Sequence, residues 1–473
     1  MLFNSSTFVV FFAVVYCLYL AFPRNVRYQN RLLLIASYVF YGAWDYRFLS
    51  LLLVSTVIDY FVGRALHRAE DPGRRKQLLF VSMCSNLTIL GFFKYFNFFI
   101  DSFAQLFAVL GWAADGPSLN IILPVGISFY TFQTLSYTFD IYRRKLEPTR
   151  DFLDFALFVS FFPQLVAGPI ERAANLLPQV ARMRILTPEQ VNAGIFLVLW
   201  GFFKKVVIAD NVAVMANQIF NGYEQYQGLD LLIGVLAFTV QIYGDFSGYS
   251  DIARGVAKLL GFELMVNFRL PYFALNPSDF WERWHVSLSS WLRDYLYIAL
   301  GGNRGAPWLT YRNLLLTMLL GGLWHGAAWN FVLWGFYQGT ILVLYRLLDR
   351  DPEHREPWSG RYHPVRVLFK MSLMFCFTMV GWVIFRAGTV PQIVHFLTSW
   401  SVAVSPDTLP LAARLLAYSL PLLAVQVAQY TTRDLLILCK LPPALRLSAY
   451  ALLLVALAAF SAHEKVEFIY FQF

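Results

Sequence analysis

The sequence is short of charge and short of cysteine, and each shortage excludes a class of protein. Asp, Glu, Lys and Arg supply only 14% of the 473 residues, whereas 58% are hydrophobic and the mean hydropathy is +0.53. A soluble domain carries about 25% charged and about 45–50% apolar residues. Most of this chain must therefore lie against lipid or other apolar helices. At about 20 residues per crossing, its length has room for roughly a dozen crossings. Counting soluble domains by length does not apply, and residues 1–473 read as one membrane domain. The four cysteines, Cys17, Cys84, Cys376 and Cys439, are far apart in apolar surroundings without CxxC spacing. They read as small buried hydrophobes, which argues against a disulfide framework or a metal site. A basic n-region and a small-residue cleavage site are both missing at the start, so 7–22 is expected to be a retained helix. There is no internal repeat or low-complexity tract, and no basic soluble module with interleaved aromatics, which argues against nucleic-acid binding.

What is present is a series of apolar stretches, near 6–22, 32–44, 48–63, 78–110, 119–142, 151–167, 190–209, 229–245, 309–325, 327–347, 365–386, 410–430 and 444–462. Stretches 32–44 and 48–63 are short. At 1.5 Å per residue they reach about 20–24 Å, less than the roughly 30 Å hydrocarbon core. They are expected to cross a thinned bilayer or to be re-entrant. The net charge is +9, and the positives gather between stretches: Arg64, Arg68, Arg74, Arg75 and Lys76; Arg143, Arg144, Lys145 and Arg150; Arg172, Arg182 and Arg184. Such clusters mark cytoplasmic loops. The same charges would attract an anionic donor such as a coenzyme A thioester. Residues 349–363, with both signs and prolines, read as a solvated connector.

The stretch 245–312 departs from the pattern, being aromatic yet rich in Asp, Arg, Asn, Ser and Gly. Irregular polar backbone at membrane depth is tolerated only inside protein or along a wet cavity, so an active cavity is expected here. Asp245 and Asp251, in Gly-Asp-Phe-Ser-Gly-Tyr-Ser-Asp, could pass for paired carboxylates but read more simply as caps or breaks of membrane helices. Of the seven histidines, His67, His354 and His363 sit in charged loops and His463 beside Glu464 and Lys465, all surface or interfacial positions. His395 follows an apolar span and is ambiguous.

His325 lies in Gly-Gly-Leu-Trp-His-Gly-Ala-Ala-Trp-Asn (321–330), inside an almost chargeless run. An ionisable residue in such a span is costly and points to function. A structural histidine bonded between helices fits the same position. Burial favours the neutral imidazole, the form that accepts a proton. Gly322 with Gly326, and Gly335 with Gly339, are small residues four apart that let helices approach closely. His285 lies in Asn-Pro-Ser-Asp-Phe-Trp-Glu-Arg-Trp-His (276–285), where Asn276 is a helix cap, Pro277 suits the first turn and Asp279 the positive end. A continuous helix would put Trp281, His285, Leu288 and Leu292 on one face. Glu282, Ser289 and Arg293 would share another, as a charge network.

Together these segments resemble the membrane-bound O-acyltransferase superfamily, in the branch of the alginate O-acetyltransferase membrane subunit. The resemblance runs through Phe-Phe-Pro-Gln-Leu-Val-Ala-Gly-Pro-Ile (161–170), Asp-Phe-Ser-Gly-Tyr-Ser-Asp-Ile-Ala (245–253) and Phe-Trp-Glu-Arg-Trp-His (280–285). It continues in Trp-Leu-Arg-Asp-Tyr-Leu-Tyr-Ile-Ala-Leu-Gly-Gly-Asn-Arg (291–304), Gly-Leu-Trp-His-Gly-Ala (322–327) and Phe-Ile-Tyr-Phe-Gln-Phe (468–473). The family pattern often has Arg or Lys at Glu282 and Pro at Ala299, departures that spare both histidines. The resemblance implies an all-α, polytopic protein of the bacterial inner membrane, a ring of about 11–13 membrane helices with short re-entrant helices around a central tunnel. It implies His325 as catalytic histidine and His285 as its assistant, with Trp281, Trp324, Arg293, Asp294, Asn303 and Gln164 along the substrate tunnel. It implies no metal and no permanently bound cofactor. The expected donor is acetyl-coenzyme A, the acceptor a polysaccharide, and the partner a periplasmic or extracellular protein of the serine-esterase type. D-alanyl transfer from a carrier protein to teichoic acid is the alternative within the class. Outside it stand a transporter or flippase of an acylated carrier, which usually shows repeats, and a non-catalytic scaffold.

Overall fold

The computed structural model describes all residues except 2, 113–118, 120, 167, 349–363, 400, 463–467 and 470–473. The connector 349–363, with His354 and His363, and also His463, lie outside the described residues. Among the described residues all regular structure is helical, and eight helical runs are long and apolar enough to cross a membrane. The chain is an all-α, multi-pass membrane protein that packs as two compact units.

The first unit comprises residues 1–191, 256–265 and 326–328. It contains α1 (Ser6–Ala21), α2 (Val26–Asp45), α3 (Leu49–Arg68), α4 (Pro72–Leu90), α5 (Phe96–Val109), α6 (Ile127–Tyr142), α7 (Phe152–Ser160), α8 (Phe162–Leu165) and α9 (Ala173–Ala181). The two apolar stretches that looked too short belong to α2 and α3, each 20 residues long. At 1.5 Å per residue each reaches about 30 Å, a full hydrocarbon core. Both helices outrun their apolar stretches because polar residues extend them at their ends. Asn30, for one, is buried and donates to Asp154 Oδ1 at 2.8 Å. Inside the unit, Asp59 of α3 accepts from Ser82 Oγ (2.5 Å) and Asn86 Nδ2 (2.8 Å) of α4 and from Thr138 Oγ1 (3.2 Å) of α6. Removing these donors from water is tolerable only because each has a partner.

Two arginines of the basic clusters are structural. Arg75 is buried and donates to the carbonyls of Leu66, Ala69, Ile141 and Tyr142, closing the C-termini of α3 and α6. Those carbonyls are orphaned by helix geometry and sit at the negative end of the dipole. Arg184 is likewise buried, donating to Tyr19 Oη (2.9 Å), Gln29 Oε1 (3.0 Å) and Asn30 Oδ1 (2.9 Å). Neither guanidinium is available as a surface attractor.

The second unit comprises residues 192–255, 266–325 and 329–473. It contains most of α10 (Pro188–Phe202) and of α12 (Leu229–Leu259), with α11 (Asp210–Asn221), α13 (Pro277–Arg283), α14 (Val286–Trp291), α15 (Pro307–His325), α16 (Trp329–Leu348), α17 (Pro364–Arg386), α18 (Val390–Thr398), α19 (Thr408–Thr432) and α20 (Pro443–Phe460). Glycines allow close helix contacts in it. A Cβ on Gly201 of α10 would stand 2.6 Å from the carbonyl oxygen of Gly248 on α12, and one on Gly255 2.7 Å from that of Gly194. In the α15–α16 hairpin, a Cβ on Gly322 would collide with the Phe331 carbonyl, and one on Gly335 with that of Met318. Gly322→Ala is therefore expected to cost about 1–3 kcal/mol through overpacking. A lowered thermal midpoint in detergent would register it. Gly91→Ala, at a site with nothing within 4 Å, serves as the neutral control.

Three expectations are corrected here. Asp245 and Asp251 neither cap nor break a helix; both lie within the unbroken 31-residue α12. The irregular stretch thus begins after Leu259, not at Asp245. The cysteines are not buried in protein: Cys17, Cys84 and Cys376 are exposed and Cys439 is half-exposed. On apolar membrane helices such side chains face lipid, which suits a small hydrophobe as well as a core does.

Candidate active site

α15 ends at His325, and α16 starts four residues later at Trp329. The glycine contacts of α15 with α16 hold that end in place, and only 4% of His325 remains exposed. Its ring is boxed by aromatics met nearly at right angles: Trp324 at 5.1 Å, Trp334 at 5.0 Å and Phe385 at 5.5 Å between centroids. Edge-to-face packing matches the positive rim of one ring to the negative face of the next.

His285 is fully buried and its backbone is left-handed, with φ 43° and ψ 52°. The continuous helix expected through 276–295 is corrected on this point. Asn276 does cap α13, its Oδ1 accepting from Asp279 N at 2.8 Å. That helix stops at Arg283, the chain turns at Trp284 and His285, and α14 starts at Val286. The turn is held by Asn267. The Asn267 carbonyl accepts from Val286 N (2.9 Å), its Oδ1 accepts from Ser287 N (3.2 Å), and its Nδ2 donates to Ser250 Oγ (3.1 Å). Arg269 N donates to the Arg283 carbonyl at 2.9 Å, so 267–269 lies alongside 283–287 as a splint. A left-handed non-glycine residue costs of order 1–3 kcal/mol and persists only where its surroundings over-determine it. Trp284 adds to that determination, buried against Trp382 (4.7 Å) and Phe268 (5.0 Å).

The turn aims the His285 ring at Phe246 (4.6 Å), Trp324 (5.9 Å) and His325, with 6.4 Å between the two imidazole centroids. His285 lies outside the eight spanning helices, and complete burial pushes its pKa down to about 3, so the ring is neutral at ordinary pH. Trp281 packs on Trp334 at 5.8 Å, which places it in the same aromatic shell.

The six residues expected along the passage divide. Trp281 and Trp324 join the histidines. Arg293 is exposed and pairs with half-exposed Asp294 at 2.8 Å, and Asn303 is exposed in the turn before α15. Gln164 is buried in the first unit, donating to the Phe158 carbonyl at 2.9 Å. Glu282 is exposed and acts electrostatically on Arg293, so the charge network expected of these two residues is interfacial, and a separate, buried one is built by other residues. A π-helical segment, Phe203–Ala209, carries Lys204 and Lys205. Lys205 reaches Asp210 and Asp245, each at 2.8 Å, and Lys204 reaches Asp251 at 2.7 Å and Ser247 at 3.0 Å. Asp245 also accepts from Ile469 N at 2.8 Å, while Phe468 packs on Tyr249 at 4.2 Å and on Phe246 at 5.9 Å. Asn267 and the two lysines are the residues that motif reading missed. Their only signal was a polar group in an apolar run. Among the described residues no three of His, Cys, Asp and Glu gather as a metal set.

The model of the membrane-bound O-acyltransferase family matches residues 143–385. The chain is 44% identical to a probable alginate O-acetylase of Azotobacter vinelandii over 82% of its own length and 75% of that protein.

The chain belongs to the membrane-bound O-acyltransferase family.

A second relative of this acyltransferase is a peptidoglycan O-acetyltransferase of Helicobacter pylori, 36% identical over 84% of the chain and 79% of that protein. A teichoic acid D-alanyltransferase of Bacillus subtilis is more distant, at 26% over 52% of the chain and 63% of that protein. Both histidines of the O-acyltransferase fall inside the matched residues.

Proposed function

We propose that this O-acyltransferase moves acetyl from acetyl-coenzyme A onto hydroxyls of an exopolysaccharide or cell-wall polysaccharide. Two buried imidazoles in one aromatic box, 6.4 Å apart, carry the reading. His325 accepts the hydroxyl proton as the acceptor oxygen attacks the thioester carbonyl. The new C–O ester bond forms, the C–S bond breaks, and the proton leaves with the thiolate as free thiol. General-base help of this kind is typically worth about 10²–10⁴-fold. His285, held at its turn by Asn267, orients or polarises the carbonyl. The aromatic walls exclude water, which would otherwise hydrolyse the thioester. Where that acceptor hydroxyl belongs to a periplasmic or extracellular serine-esterase-type partner, the partner passes the acetyl to a polymer hydroxyl by a second ester exchange and regains its own. The acetyl reading is favoured over D-alanyl by the relatives named for O-acetyl transfer, which match more of the chain at higher identity.

Membranes containing the protein are expected to transfer label from [¹⁴C]acetyl-coenzyme A to polysaccharide, and the envelope polymer should lose acetyl esters when the protein is deleted. Unchanged ester content on deletion, by mass spectrometry of that polymer, would sink the proposal. Label from D-alanyl carrier protein in its place would move it to the alternative.

A further inference from the structure

A groove of about 820 Å³ lies in the second unit, away from the histidines' aromatic box in sequence and walled by the π segment, α19 and α20. Backbone irregularities make it. The segment Phe203–Ala209 is π-helical, and α19 carries Pro421 in its interior. Both open the space that two regular helices would close. The walls are apolar, with Trp200, Phe203 and Val207 on one side and Ala449, Leu453 and Phe460 on another. Among the described residues, Arg414 is the only charged one that lines the groove, and no acidic side chain joins it.

Its length is informative. On α19 the lining runs from Arg414 to Val425, eleven steps along the helix, or about 16 Å at 1.5 Å per residue. Half of a roughly 30 Å hydrocarbon core is about 15 Å. The groove is thus about as long as one leaflet of the hydrocarbon core is thick, with a cation at one end. Arg414 lies in the second turn of a spanning helix, the depth from which an arginine snorkels to the interface. α19 and α20 are among the least protein-covered of the spanning helices, so lipid has access.

We infer that this groove holds one acyl chain of a glycerophospholipid, with the lipid phosphate on the Arg414 guanidinium. A guanidinium is the side chain best matched to a phosphate, through paired charge-assisted hydrogen bonds. The occupant also has a structural consequence. Phe203 and Val207 face the groove from the same short π segment whose Lys204 and Lys205 reach Asp251 and Asp245. A chain seated there braces the wall that carries those ion pairs.

Native mass spectrometry of the delipidated, detergent-purified protein titrated with phosphatidylglycerol tests this. One lipid is expected to bind. Arg414→Gln should weaken it about tenfold, Arg414→Lys by less, and Ala449→Phe, which fills the groove, should abolish it. Diacylglycerol, with chains but no phosphate, should bind weakly and indifferently to Arg414→Gln. Equal phosphatidylglycerol binding by wild type and both Arg414→Gln and Ala449→Phe overturns the inference, as does diacylglycerol binding as tightly as phosphatidylglycerol. A photoreactive side chain at Leu452, which also lines the groove, should capture lipid in native membranes; capture of a protein segment instead overturns it too.

Discussion

Replacing His325 with alanine is expected to reduce acyl transfer by about 10²–10⁴-fold, the range that a positioned general base supplies. The side chain is boxed by Trp324, Trp334 and Phe385, so its removal leaves a small cavity as well as a missing base. The two effects separate. A cavity lowers stability by an amount that scales with its volume, whereas the missing base acts on the chemical step. The variant should therefore enter the membrane and migrate as a single species on gel filtration while its turnover collapses. His325→Gln, which fills the cavity without providing a base near neutral pH, should be equally inactive and more stable. Wild-type turnover in either variant would remove His325 from the chemistry. His285→Ala is expected to fall less far, because it removes a polarising group but leaves the base at His325 in place.

Lys205→Met should destabilise the protein by about 3–5 kcal/mol, the cost of removing one partner from a buried ion pair. Lys205 is fully buried between two buried carboxylates, Asp210 and Asp245, each 2.8 Å from its ammonium. Without it, two negative charges face each other with little solvent to screen them. Adding Asp245→Asn to Lys205→Met should recover part of the loss, since one of those charges goes. The thermal midpoint of the single and double variants in detergent is the readout. A double variant as unstable as the single one would mean that the lysine acts through packing and not through charge. Asp245 also accepts from Ile469 N, so its loss should additionally loosen residues 468–469, visible as faster hydrogen exchange.

Much of the fold follows from composition and local chemistry. The excess of apolar over charged residues puts the chain in the bilayer, and there only helices or closed barrels satisfy the backbone. Asn276, Pro277 and Asp279 start α13 as their side chains require. Gly322 and Gly335 mark the tight α15–α16 contact. Other features were hidden because they depend on groups distant in the chain. The lengths of α2 and α3 depend on polar residues that are tolerable in the membrane unit only once paired. Asn30 needs Asp154, Asp59 needs Ser82, Asn86 and Thr138, and no local window contains those partners.

The sequence by itself determined the solvent, the helical class and the two histidines worth watching, because hydropathy, caps and costly buried imidazoles are properties of short segments. Only the tertiary structure decided how those histidines meet. An unbroken helix would have carried His285 on a face with Leu288. Asn267, eighteen residues upstream, splints the chain into a left-handed turn that points the ring toward His325 instead. Backbone hydrogen bonds between distant segments outweigh local helix propensity there, since propensity is worth only about 0.7 kcal/mol or less per ordinary residue, while each satisfied buried amide avoids a penalty of about 1–3 kcal/mol.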